Sequence, residues 1–259
     1  MKDLKVSLIQ TAIHWEQPEA NTAMFEEKIW SIDQTDLIVL PEMFTTGFSM
    51  NPEPLAEPPG GRTFKWMKQM ASQKNVAITG SYIVKDQGKY YNRLYFVFPD
   101  GTSQKYDKKH LFTLAGEDEN YSAGSDRLIV EYRGWKICPM ICYDLRFPVW
   151  SRSRTSADSL YEYDLLIYVA SWPDARINAW DTLLKARAIE NQSYCIGVNR
   201  IGTDPSSKLY PGHSAVYSYL GNEVNFSPEE EVLSASLDQS VMNQFRERFP
   251  FQQDADQIH

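Results

Sequence analysis

The 259-residue sequence predicts an α/β fold. Short apolar runs of strand length alternate with segments of helical spacing along the chain. One run, Leu37 to Leu40, is apolar at four successive positions, as in a strand whose sheet is covered on both faces. No repeat, low-complexity tract or long linker divides the chain, so one domain spanning 1–259 is expected, with 250–259 as a polar C-terminal tail that frays or reaches over a partner.

Leu4, Val6 and Leu8 alternate with polar neighbours and predict the first strand. Met24, Phe25, Ile29 and Trp30 space a helix over 21–31, and the Leu37 run follows as a strand that stops at Pro41-Glu42. A Pro/Gly-rich stretch, 53–61, leads to a short helix over 64–73. Strands are expected over 76–84 and 93–99, with Asp100-Gly101 turning into an extended segment over 103–110. A strand pair, 128–132 and 135–141, is expected around Arg133-Gly134. A strand over 165–170 precedes a strong helix over 180–191, where Leu183, Leu184, Ala186, Ala188 and Ile189 mark a covered face. Strands over 195–200, 214–219 and 232–237 and a terminal helix over 241–249 complete the order.

A formal charge of −8 argues against nucleic acid or an anionic membrane as partner, since both require a basic face. Three cysteines, Cys138, Cys142 and Cys195, form neither a disulfide framework nor a zinc pattern, which points to a reducing cytoplasm. The first residues lack the apolar core of a signal peptide, and no apolar stretch approaches the ~20 residues of a membrane span. His14, His110, His213 and His259 show no ligand spacing, so neither metal nor cofactor is expected.

Catalytic groups of α/β sheets favour the carboxyl ends of strands. Three chemically capable residues lie at such ends: Glu42 after Leu37 to Leu40, Lys108 late in the 103–110 segment, and Cys142 after 135–141. Each has a structural alternative: a solvated carboxylate, a surface ammonium, or a small buried hydrophobe. Their sequence neighbours favour chemistry. LPEMFTTGF (40–48), YDKKHLF (106–112) and ICYDLRFP (141–148), in that order, resemble the three signature blocks of the nitrilase superfamily of carbon–nitrogen hydrolases. The resemblance runs from Val6 to about Tyr219, and 170–202 resembles the omega-amidase branch, whose members hydrolyse the side-chain amide of short 2-oxo acids.

The resemblance implies a four-layer α-β-β-α sandwich, commonly paired as a homodimer. It carries the family's base to Glu42, its lysine to Lys108 rather than Lys109, and its nucleophile to Cys142 rather than Cys138 or Cys195. A second acid of the family falls at Glu117, with Glu119 fitting the spacing less well.

These residue types suit amide hydrolysis. A thiol is mostly protonated at neutral pH, so attack requires a nearby carboxylate to take its proton, the role expected of Glu42. The Lys108 ammonium and the Tyr143 backbone N–H are expected to hold the oxyanion, and Glu117 to hold Lys108 or orient water. A sulfur at a sharp strand-to-helix turn, with Pro148 in the following helical turn, predicts φ > 0 at Cys142. His110 as a Cys–His base is the weaker option, because no orienting Asn or Asp is evident around it.

For a small anionic amide, Arg146 and Arg176 are expected to meet the carboxylate, and Phe44, Trp172 and Tyr143 to wall the pocket. The alternatives are an Arg146–Asp144 ion pair, a solvated Arg176, and aromatics spent in the core. Rival functions are another carbon–nitrogen substrate on the same residues (a carbamoyl amine, a deaminated glutathione-like amide or a nitrile) and a non-catalytic scaffold.

Overall fold

The computed structural model describes residues 3–155 and 159–256; Met1, Lys2 and the last residues of the expected tail lie outside them. The first half runs β1 (Leu4–Gln10), α1 (Pro18–Ser31), β2 (Leu37–Val39), α2 (Arg62–Lys74), β3 (Ala77–Asp86), β4 (Lys89–Val97), β5 (Ser103–Asp107) and a short α3 (Glu117–Asn120). The second half runs β6 (Val130–Tyr132), β7 (Trp135–Ile141), α4 (Pro148–Ser151), β8 (Leu165–Ala170), α5 (Ile177–Asn191) and β9 (Tyr194–Asn199). It closes with β10 (Ile201–Thr203), β11 (Leu209–Pro211), β12 (Ser214–Tyr217), β13 (Glu223–Ser227), β14 (Glu231–Leu237) and α6 (Gln239–Arg248).

Two six-stranded sheets form, in the orders β14-β1-β2-β3-β4-β5 and β13-β12-β9-β8-β7-β6. Their centres are parallel, β1-β2-β3 in one and β7-β8-β9 in the other, and their flanks antiparallel. Period-two alternation divides each central strand between two cores. Leu37 and Val39 face the other sheet, where Leu165, Ile167 and Val169 meet them. Ile38 and Leu40 face α1 and α2, packing with Phe25, Ile29, Met67 and Met70. Leu166, Tyr168 and Ala170 face α5, against Trp180, Leu184 and Ala188. The result is the expected α-β-β-α sandwich.

The differences lie where the chain leaves the core. β3 continues through Lys85 and Asp86, turns at Gln87-Gly88 with φ of 49° and 80°, and β4 begins at Lys89. These hairpin ends are largely exposed, so the burial pattern that marks a strand in sequence vanishes there. The partly exposed β10, β11 and β13 carry no such pattern and were not expected. α1 starts at Pro18, which suits a first helical turn, and α6 at Gln239, capped by Asp238 accepting from the Ser240 and Val241 N–H groups. In the tail, Gln252 is buried and donates to the Glu190 carbonyl.

One close approach sets the geometry at the end of β5. The Gly124 N–H donates to the Lys108 carbonyl at 2.9 Å. A Cβ on Gly124 would lie 2.2 Å from the Asp107 carbonyl oxygen, which only backbone movement relieves. Gly124→Ala is therefore expected to destabilise the fold by about 1–3 kcal/mol, the range for overpacking. Urea unfolding measures this, and an unchanged midpoint would show that the chain yields here without strain.

Candidate active site

The ends of both sheets converge on one buried cluster. Glu42 follows β2, and Met43 after it takes a left-handed conformation (φ 45°) with its N–H on the Ser81 hydroxyl at 3.0 Å. Lys108 follows β5, its N–H donating to the Asn92 carbonyl at 3.0 Å. Glu117 opens α3 directly after Gly116 (φ 71°). Cys142 follows β7 at the start of a tight helical turn with the expected positive φ, 43°. Asp144 pins that turn: it accepts from the Ile141 N–H at 3.0 Å, the Tyr106 hydroxyl at 2.7 Å and the His110 N–H at 3.0 Å. The Cys142 turn and the segment after Lys108 are thus tied to one carboxylate.

Glu42, Lys108 and Glu117 are buried together. Lys108 Nζ lies 2.9 Å from Glu42 Oε1 and 2.9 and 2.8 Å from the two Glu117 oxygens. The Asn92 amide donates to Glu42 Oε1 at 2.8 Å and reaches Glu117 Oε1 at 3.4 Å. The Phe112 N–H donates to Glu117 Oε2 at 2.6 Å, and the Ser171 N–H to Glu42 Oε2 at 2.8 Å. Both carboxylates are thus surrounded by donors.

Burial disfavours the Lys108 ammonium, but Glu117, Glu42 and Cys142 together overcome it and hold the lysine above its ordinary pKa. Burial raises Glu117 while Lys108 opposes the shift. Burial also drives the Cys142 thiol well above its ordinary value; the Glu42 charge adds to that effect, and Lys108 opposes it. Cys138 and Cys195 are buried in the second sheet, whereas Cys142 is partly exposed.

Cys142 opens into a small cavity. Tyr143, Arg146, Trp172 and Arg176 line it. The Arg146 guanidinium lies 4.8 Å from the centre of the Trp172 ring, and that of Arg176 4.9 Å from the centre of Phe112. The Arg146–Asp144 ion pair does not form, because Asp144 is engaged by Ile141, Tyr106 and His110. Phe44 is a correction: the chain turns at Met43, and the Phe44 ring is fully buried in the helix-side core, 5.4 Å edge-on from Phe25. Phe48, four residues later, forms the wall instead, 5.0 Å from the Lys108 ammonium.

His110 does have an acidic partner, Asp144 at 2.8 Å from Nδ1, but its ring stacks on Phe147 at 3.8 Å and is not among the cavity-lining side chains. Asn92, Ser171, Phe112, Lys208 and Tyr210 were missed from the sequence. Asn92 left a usable signal, a polar residue inside the apolar-rich run of β4; the other four left none. Among the described residues, no group of three His, Cys, Asp or Glu side chains is placed to hold a metal.

Comparison with known proteins agrees with this geometry. Residues 5–247 match the carbon–nitrogen hydrolase family model. The chain is 44% identical to omega-amidase YafV of Yersinia enterocolitica, covering 100% of this chain and 99% of that one. It is 34% identical to 2-oxoglutaramate amidase of Bacillus subtilis, covering 95% of each. A superfamily protein of Xanthomonas campestris, with an arsenic adduct in its active site, superposes with a TM-score of 0.97 at 40% identity, covering 100% and 99%. This chain belongs to the carbon–nitrogen hydrolase (nitrilase) superfamily, within its omega-amidase-like branch, and is a hydrolase of carbon–nitrogen bonds.

Proposed function

We propose that this enzyme releases ammonia from the omega-amide of a short 2-oxo dicarboxylic acid, such as 2-oxoglutaramate or 2-oxosuccinamate, through a thioester on Cys142. The observation that carries this reading is the cavity's charge. Among the described residues lining it, Lys108, Arg146, Arg176 and Lys208 are cationic and none is Asp or Glu, in a chain of net charge −8. A site of this polarity favours an anionic substrate. The names of the Yersinia and Bacillus relatives point the same way.

In this reading Glu42 takes the proton of the Cys142 thiol as sulfur attacks the amide carbon. The oxyanion is met by the Lys108 ammonium and the Tyr143 N–H, each such donor contributing about 2.7–4 kcal/mol to the transition state. Collapse expels ammonia with the proton returned from Glu42, leaving the acyl group on sulfur. Water then attacks the thioester, Glu42 takes its proton, and the acid leaves as Cys142 regains hydrogen. Glu117 holds Lys108 in place, since both of its oxygens engage that ammonium.

Arg146 and Arg176 are the groups for the distant carboxylate. Both rest on aromatic faces, which leaves their N–H edges available. The proposal includes a cytoplasmic setting, supported by three unpaired thiols, and a homodimer, supported by the exposed apolar side chains of Val149, Phe249 and Phe251.

Cys142→Ser is expected to abolish ammonia release from 2-oxoglutaramate while leaving the unfolding midpoint in place. Quenched mass spectrometry of the wild type should find the acyl adduct on Cys142, and an adduct on Cys138 or Cys195 would refute the assignment. Because burial and Glu42 both raise the thiol, thiolate absorbance at 240 nm should show no step below about pH 8.5, the value of a free thiol. A step near neutrality, absent from Cys142→Ser, would instead mark a resting thiolate. Arg146→Ala or Arg176→Ala should raise KM for 2-oxoglutaramate roughly tenfold or more, the scale of about 1.4 kcal/mol for a charged contact, and far less for a neutral monoamide. Equal effects on both substrates would remove the carboxylate role.

A further inference from the structure

We propose that Lys208 is a specificity-determining residue of this site, a third cation that meets the anionic end of the substrate from the hairpin joining β10 and β11. The inference rests on the anionic-amide reading above and extends it to a segment far from the signature blocks.

The hairpin is built so that its own acid does not neutralise its lysine. Asp204 is the acid nearest Lys208 in sequence, and its carboxylate is consumed within the loop. Asp204 Oδ1 accepts from the Ser206 N–H at 2.8 Å, the Ser206 hydroxyl at 2.7 Å and the Lys208 backbone N–H at 3.0 Å. Asp204 Oδ2 accepts from the Tyr210 hydroxyl at 2.9 Å. Burial opposes the Asp204 charge, but these donors outweigh it and hold the carboxyl below its ordinary value, so it remains an acceptor at neutral pH. The Lys208 main chain is therefore fixed while its ammonium makes no ion pair among the described residues.

The base of the hairpin is fixed as well. Tyr210 is buried, lines the cavity, and lies 4.6 Å from the guanidinium of Arg200, the residue that follows β9. Arg200 is itself buried, and its backbone N–H donates to the Ala170 carbonyl at the end of β8. A rigid chain path thus runs from the second sheet to a side chain that is exposed yet lines the same cavity as Cys142, Arg146 and Arg176. A lysine on a rigid support with no acid of its own loses little on meeting a ligand carboxylate, and a flexible ammonium tolerates substrates of differing length.

The test separates anion recognition from turnover. In a Cys142→Ala background, glutarate binding is measured by calorimetry at low salt, with and without Lys208→Met and Lys208→Arg. In the active enzyme, KM is compared for 2-oxoglutaramate and a neutral monoamide of equal length. Lys208→Met should weaken glutarate about fivefold and raise the KM ratio, anionic over neutral, by a similar factor, the upper end for an exposed ion pair. Lys208→Arg should restore both. Glutarate affinity unmoved by Lys208→Met would overturn the inference whether or not 2-oxoglutaramate is hydrolysed. If 2-oxoglutaramate is not hydrolysed and glutarate is still weakened, Lys208 stands as an anion contact and the substrate assignment falls.

Discussion

The site depends on one buried ammonium held between two buried carboxylates. Removing a single ion from water costs several kcal/mol even after relaxation, so Lys108, Glu42 and Glu117 persist only as a mutually compensating set. Asn92, Phe112 and Ser171 supply the remaining donors to the two acids. Burial and the neighbouring Glu42 both raise the Cys142 thiol, and Lys108 opposes them.

Outside this pair of acids the polarity reverses. The cavity wall is cationic and aromatic, and the arginines are carried on rings. Aromatic faces attract guanidinium groups without consuming their N–H edges, whereas a carboxylate partner would have cancelled the charge a ligand needs. An acidic protein thereby presents one locally basic pocket. Asp144 and Asp204 follow one logic: each acid is occupied by hydroxyl and backbone donors and braces a loop rather than neutralising a neighbouring cation.

Backbone irregularity places the clustered groups. Cys142, directly after β7, and Met43, in the turn that follows β2, both adopt left-handed conformations, at a cost of about 1–2 kcal/mol each for residues bearing a Cβ. The Asp144 contacts hold the first, and the Ser81 contacts hold the second. Gly124 allows the chain to lie directly on the end of β5. Each device turns a regular strand into a residue aimed at the point where the two sheets meet.

Periodicity, strand ends and motif order were sufficient for the layers, for the positive φ at Cys142, and for the meeting of Glu42, Lys108, Glu117 and Cys142. Those features are local: alternation marks a strand's two faces, and a strand's end marks where its chemistry emerges. The hairpin ends around Gln87 and the small strands β10, β11 and β13 were illegible because exposed backbone pairing leaves no apolar period. Phe44 and Phe48 exchanged places for a related reason, since side-chain direction through an irregular turn follows no repeat. The sequence by itself therefore determined the fold class and the residues that gather in the buried cluster. Only the tertiary structure decided which aromatics wall the cavity, which acids brace loops and which cations remain unpaired, because those outcomes depend on contacts between segments far apart in the chain.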